Sequence, residues 1–199
     1  TGITCHGEVF NPHFIGYPSQ DNLFGLTVSD RNENPQNVLT AIQNNTQGLG
    51  GLRFFHDHDI RAFEACIDDP DVAKIVLTRN PLDSFVSWKI ASATGQWKLT
   101  NPTNRREETV EIDVREFETH LAKLQSFQVE ILNRLQRSGQ TAFYVAYEDL
   151  QDVEVMNGLA KFLGCDDRLE SLSKKPKKQN PAPISEKVKN YDSLQSALG

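Results

Sequence analysis

Cysteine is scarce in this chain. Cys5, Cys66 and Cys165 are three in number, widely spaced and without a CxxC pair, which argues against a disulfide framework or a cysteine zinc site. A reducing cytoplasm is the expected home. Long apolar runs are lacking too: none approaches the ~18 residues of a membrane span, and no signal peptide is visible at the start. Positive charge is not in excess. The net charge is −6, so nucleic acid recognised through a globally basic surface is disfavoured. No G-x-x-x-x-G-K-[ST] loop and no internal repeat occur, and a kinase-like phosphoryl transferase would need the former.

What is present suits one sizeable domain. The 199 residues are 38% apolar, enough for a packed core, and a single domain over 1–199 is expected. Its C-terminal arm, 166–199, is Pro-containing and basic, with Lys174, Lys175, Lys177 and Lys178 in one block and Lys187 and Lys189 beyond. Such a block is either a solvated loop or a seat for a polyanion.

Residues 1–51 read mostly as loop, with a helix over 35–45 where Val38, Ala41 and Ile42 share a face. A strand over 51–55, a helix over 60–67, a strand over 73–78 and a helix over 81–92 follow, an alternation that predicts a parallel sheet with right-handed crossovers. Residues 101–111 are polar and aperiodic, a surface loop. A long helix then runs from Val114, with the stripe Phe117, Leu121, Leu124, Ile131 and Leu135, to Gly139. A strand over 142–146, a helix over 153–163 and a short final helix over 185–198 complete the expectation.

The most informative segment is KIVLTRNPLDSFVSW, 74–88. Ile75, Val76 and Leu77 read as an inner strand covered on both faces. Asn80 suits an N-cap, Pro81 the first helical position, and Asp83 the first turn. Arg79 therefore stands at the carboxyl end of a strand, the edge where open α/β sheets bind ligands. Arg79, helix amides and a hydroxyl from Ser84 or Ser87 could converge there on a phosphate. A capped helix following a core strand is the purely structural alternative.

An Arg ending a strand, with a Ser eight positions on in the next helix, resembles the 3′-phosphate motif of sulfotransferases that use 3′-phosphoadenosine 5′-phosphosulfate (PAPS). RNPLDSFVSWKIA is similar to the bacterial, carbohydrate-directed branch. So are CHGEVFNP at 5–12, GLRFFHDHD at 51–59, YEDL at 147–150 and the tail KKQNPAPISEKVKNYDSL at 177–194. The resemblance implies a three-layer P-loop nucleotide-hydrolase-like α/β fold with a central, mainly parallel sheet. It implies that Arg79 and Ser87 bind the 3′-phosphate, that Lys177, Lys178 and Gln179 lie near the nucleotide, and that Glu8 is the general base. The donor would be PAPS, the product adenosine 3′,5′-bisphosphate, and no metal is expected. The acceptor would be a hydroxyl of a sugar, glycolipid or polysaccharide precursor, and a homodimer is an open option. The family's Gly/Ser-rich phosphate loop is not found before CHGEVF, so the N-terminal strand, that loop and the first helix are expected to be missing from these residues.

His56, the HDHD segment and Trp97 offer further candidate chemistry. His56 follows a strand and is a candidate acid, base or acceptor ligand, with a loop histidine bonding backbone as the alternative. HDHD at 56–59 also raises a metal site, but no third ligand cluster is evident. Trp97 offers an indole face for a sugar ring, against core packing. A nucleotide- or glycan-binding domain without catalysis is the other-class alternative.

Overall fold

The structure, a computed structural model, describes residues 2–97, 106–172 and 181–199. Lys177, Lys178, Gln179 and residues 101–105 of the expected surface loop lie outside the described residues. The chain packs as two compact units, Thr1–Lys74 with Phe127–Ala142, and Ile75–Ser126 with Phe143–Gly199.

In the first unit β1 (Ile3–Cys5), β2 (Asn22–Leu23) and β3 (Leu26–Thr27) precede α1 (Val28–Glu33), α2 (Pro35–Asn45), β4 (Leu49–Gly51) and α3 (Ile60–Asp68). Strands β1 and β4 pair in parallel, Ile3 opposite Leu49 and Cys5 opposite Gly51, while β2 and β3 form a small antiparallel ribbon. Thr27 and Asp30 make a reciprocal capping box at α1. Asn34 caps α2 by accepting from the Gln36 N–H, with Pro35 at the first helical position. The core gathers Val9, Phe10, Ile15, Val38, Ile42 and Ala62.

The strand expected over 51–55 is displaced toward the N-terminus. Ladder pairing ends at Gly51, after which the chain bonds β1's continuation only irregularly, through the Arg53 N–H to the Gly7 carbonyl. The signal that misled is Leu52 and Phe54, which pack into this core from a segment without strand pairing.

The second unit holds β5 (Lys74–Thr78) from Ile75 onward, α4 (Pro81–Thr94), the start of α5 (Val114–Ser138), β6 (Ala142–Ala146) from Phe143 onward, a 3-10 turn (Tyr147–Gln151), α6 (Val153–Phe162), α7 (Ile184–Lys187) and α8 (Tyr191–Leu198). Residues 127–138 of α5 belong to the first unit. The second unit's core is built from Phe85, Val86 and Ile90 of α4 with Ile112, Phe117 and Leu194. Strand β5 is not the doubly covered inner strand that its apolar run suggests. It pairs with β6 alone among the described residues, and Ile75 and Leu77 are 46% and 53% exposed.

The expected final helix is interrupted between α7 and α8. Val188 bridges in parallel with Val110, the Lys189 N–H donates to the Val110 carbonyl, and the Asn190 amide bonds both the N–H and the carbonyl of Ile112. The Lys187 carbonyl and the Lys189 N–H thus bond Val110 as strand neighbours do, while the Asn190 side chain takes up Ile112. The whole is a mixed α/β chain with short, open sheets, one of them parallel.

Candidate anion site and carboxylate loop

The second unit carries the strand-to-helix junction read from sequence. Asn80 caps α4: its side-chain oxygen accepts from the Leu82 and Asp83 N–H groups at 3.0 and 3.1 Å, and its carbonyl accepts from the Ser84 N–H. Pro81 has no N–H. The first-turn amides are therefore spent within the helix, and the expectation that they converge on a phosphate gives way to one carried by side chains.

Those side chains are Arg79 and Ser87. Arg79 Nη2 donates to Ser87 Oγ at 3.2 Å. The guanidinium carbon stands 4.5 Å from the centroid of the Tyr147 ring, inside the range of a cation–π contact. Among the described residues the guanidinium makes that one hydrogen bond and that one ring contact. A guanidinium has five N–H donors in a fixed plane, so most remain for a ligand oxygen, and the stacked ring fixes the plane in which they point. Tyr147, the first residue of YEDL, was not singled out from sequence, although its motif was. Its neighbours Glu148 and Asp149 lie in the 3-10 turn, and Asp152 is the residue that caps α6.

In the first unit the segment after β1 folds as a tight loop that presents Glu8. Glu8 and Gly16 bridge antiparallel, with the Glu8 N–H donating to the Gly16 carbonyl at 2.7 Å. Gly7 has φ +77°, and a Cβ there would stand 2.2 Å from the Gly16 oxygen, so only glycine fits. Val9 and Phe10 turn into the core and leave Glu8 partly exposed. Its carboxylate is held at both oxygens: Asn11 Nδ2 donates to Oε2 at 3.0 Å and Arg53 Nη2 lies 3.3 Å from Oε1.

The loop is organised from within by Arg31, whose side chain is buried. Its Nη1 donates to the carbonyls of Val9, Asn11 and Phe14 at 2.7–2.8 Å, and Nε and Nη2 both reach Asn32 Oδ1. Arg31 was missed from sequence because VSDRNENP reads as a polar surface stretch. Its only signal is a shortage: a loop with buried carbonyls needs donors from somewhere.

The two histidines of HDHD part company. His56 is exposed on a turn, while His58 is buried between the rings of Phe54 and Phe55, its Nδ1 accepting from the Phe55 N–H at 3.4 Å. Asp59 caps α3 and pairs with Arg61. The segment is a turn and a helix cap rather than an extended strand, so its side chains do not alternate between two faces. Among the described residues no group of three or more His, Cys, Asp or Glu could hold a metal ion. Trp97 is 59% exposed, which removes the core-packing alternative for it. Trp88 stacks on Phe85 and His120.

Burial pushes the His58 imidazole below its ordinary value of 6.5, with Asp57 and Glu8 opposing, and burial lowers His6 as well. At these two sites the unfolded chain binds more protons than the folded one, so their contribution to stability is complete above about pH 6.5 and is lost as pH drops below it. His58→Gln keeps an acceptor for the Phe55 N–H and removes the titration. Chemical unfolding between about pH 7.5 and about pH 5.5 should lose less stability in this variant than in the parent; equal losses would remove His58 from the account.

Set against known proteins, the chain matches no family model, no curated protein and no solved structure.

Proposed function

We propose that this chain is a sulfotransferase of the P-loop, three-layer type, moving a sulfuryl group from PAPS to a hydroxyl of a sugar, glycolipid or polysaccharide precursor. The observation that carries this reading is the Arg79–Ser87 pair braced on Tyr147. A planar fork with donors to spare, held at the end of a strand and completed by a hydroxyl, suits a terminal phosphate. The fork and the hydroxyl would bind the 3′-phosphate, with Lys177, Lys178 and Gln179 as further nucleotide ligands. The donor supplies an activated sulfuryl group whose leaving phosphate needs no metal in principle.

Glu8 would take the proton of the acceptor hydroxyl on a carboxylate oxygen as the new O–S bond forms and the bond from sulfur to the donor's 5′-phosphate oxygen breaks, releasing adenosine 3′,5′-bisphosphate. Its two partners suit that task, because Asn11 and Arg53 set the orientation of the carboxylate before the acceptor arrives. The exposed His56 and the exposed indole of Trp97 are the acceptor-side candidates. No described helix is long and apolar enough to cross a membrane.

Calorimetric titration with adenosine 3′,5′-bisphosphate should show micromolar binding, and adenosine 5′-monophosphate should bind about tenfold or more weakly, since a charge-assisted pair is worth ~1.5–3 kcal/mol. Equal affinities would remove the 3′-phosphate site. With PAPS and a panel of sugar and glycolipid acceptors, Glu8→Gln should lower turnover by about 10²–10⁴. A chain that binds the nucleotide yet releases no product with or without Glu8 is a binding domain instead.

A further inference from the structure

The segment that follows β4 braces the Glu8 loop from behind. Its Arg53 reaches that loop twice: the backbone N–H donates to the Gly7 carbonyl at 2.7 Å, and Nη2 lies 3.3 Å from Glu8 Oε1. Two residues on, Phe55 opens a turn that His58 closes. The His58 N–H donates to the Phe55 carbonyl at 3.1 Å, and the Phe55 N–H donates in return to His58 Nδ1 at 3.4 Å. The Phe54 ring packs on His58 at 5.3 Å and on Phe10, two residues past Glu8, at 5.7 Å. The imidazole is therefore tied to the Glu8 loop by a short stretch of backbone and by one ring.

The reciprocal bond fixes the chemical form of that imidazole. Nδ1 accepts only when it carries no proton, so the closed turn holds the neutral ring with its proton on Nε2. An imidazolium carries a proton on both nitrogens and would set its Nδ1–H against the Phe55 N–H. A proton taken from solvent thus breaks this bond and opens the turn. Burial opposes the imidazolium most, Asp57 of the same turn and Glu8 favour it, and Arg31 of α1 and His56 oppose it. The turn is closed at neutral pH and opens only below pH 6.5.

We propose that His58 is a positioning residue for the Glu8 carboxylate: the neutral ring closes the turn that sets Arg53 on Glu8, and the protonated ring opens it and releases the carboxylate from Arg53. As a step in sulfuryl transfer this rests on the reading of Glu8 as the base; the coupling itself does not.

Nuclear magnetic resonance titration of the full chain from about pH 7.5 to about pH 5 reads both ends of the coupling. The Phe55 amide reports the turn, and the Asn11 side-chain amide, which donates to Glu8 Oε2 at 3.0 Å, reports the carboxylate. In the parent both signals should shift with one shared midpoint below 6.5. His58→Gln keeps an acceptor for the Phe55 N–H and should remove that midpoint from both signals; any shift that remains belongs to His6, His56 or Glu8 itself. Arg53→Gln, at a half-exposed position, should leave the midpoint at Phe55 and abolish it at Asn11. A ring that only fills space between Phe54 and Phe55 would move the Phe55 amide and leave Asn11 still. That outcome, or an Asn11 midpoint that survives in His58→Gln, overturns the proposal. Should His58→Gln fail to fold, Arg53→Gln decides: loss of the Asn11 midpoint supports the proposal and its persistence overturns it. Turnover with PAPS tests the catalytic half. Between about pH 7.5 and about pH 5.5, kcat should fall about threefold more in the parent than in His58→Gln, with KM for PAPS following one course in both. Linked midpoints in a chain that turns over no acceptor remove the sulfotransferase reading and keep the His58 coupling.

Discussion

Arg79→Ala should weaken binding of adenosine 3′,5′-bisphosphate by about a hundredfold or more while leaving the fold intact. Hydrogen bonds to a charged group contribute ~1.5–3 kcal/mol each and each 1.4 kcal/mol is tenfold, so a bidentate contact accounts for about two decades or more. The side chain is only half-buried, its protein partners are one hydroxyl and one ring, and its removal leaves no buried charge behind. Thermal unfolding should therefore shift little.

Arg79→Lys separates charge from geometry. It keeps the cation but loses the fork and the stacking on Tyr147, so about a tenfold loss should persist. Tyr147→Leu should fall between parent and Arg79→Ala, because the guanidinium then pays its own orientational entropy on binding. Titrations of the three variants beside the parent check all of this. Parent-like affinity in Arg79→Ala would place the nucleotide elsewhere and sink the functional reading.

Arg31→Met should destabilise the first unit by about 3–5 kcal/mol, since each buried acceptor left unpaired costs ~1–3 kcal/mol. Three carbonyls, those of Val9, Asn11 and Phe14, lose their donor at once. Arg31→Lys should recover only part of the loss, because a point ammonium cannot serve those carbonyls and Asn32 Oδ1 together. Amide hydrogen exchange is the suitable measurement for a chain with two compact units, where one global unfolding free energy is poorly defined. Faster exchange should be confined to residues 7–16 in Arg31→Lys and spread through the first unit in Arg31→Met. Parent-like protection in both would show that the Glu8 loop is held by its core contacts alone.

Much of the candidate chemistry could be read along the chain because it is local. Asn80, Pro81 and Asp83 are adjacent in sequence, so cap, first turn and helix start follow from nearest-neighbour preferences. The eight-residue interval from Arg79 to Ser87 crosses one strand end and two helical turns, and the turn geometry brings the pair to 3.2 Å. The helices over 35–45 and 60–68 likewise announce themselves by apolar spacing and by the caps Asn34 and Asp59.

Other features depend on partners far away in sequence, which no local pattern can encode. Ile75 and Leu77 have the residue types of an inner strand, yet their burial depends on which strands lie alongside, and β5 has only β6 among the described residues. The final helix breaks because Val110 and Ile112, about 80 residues earlier, engage the Lys187 carbonyl, the Lys189 N–H and the Asn190 side-chain amide. Arg31 becomes a buried keystone only when carbonyls at positions 9, 11 and 14 surround it. Residue type and spacing carry the local half of the candidate anion site, a charged fork and a hydroxyl at a capped helix. The ring under that fork and the brace behind Glu8 came from tertiary structure, because each depends on hydrogen bonds or charges brought together across the chain.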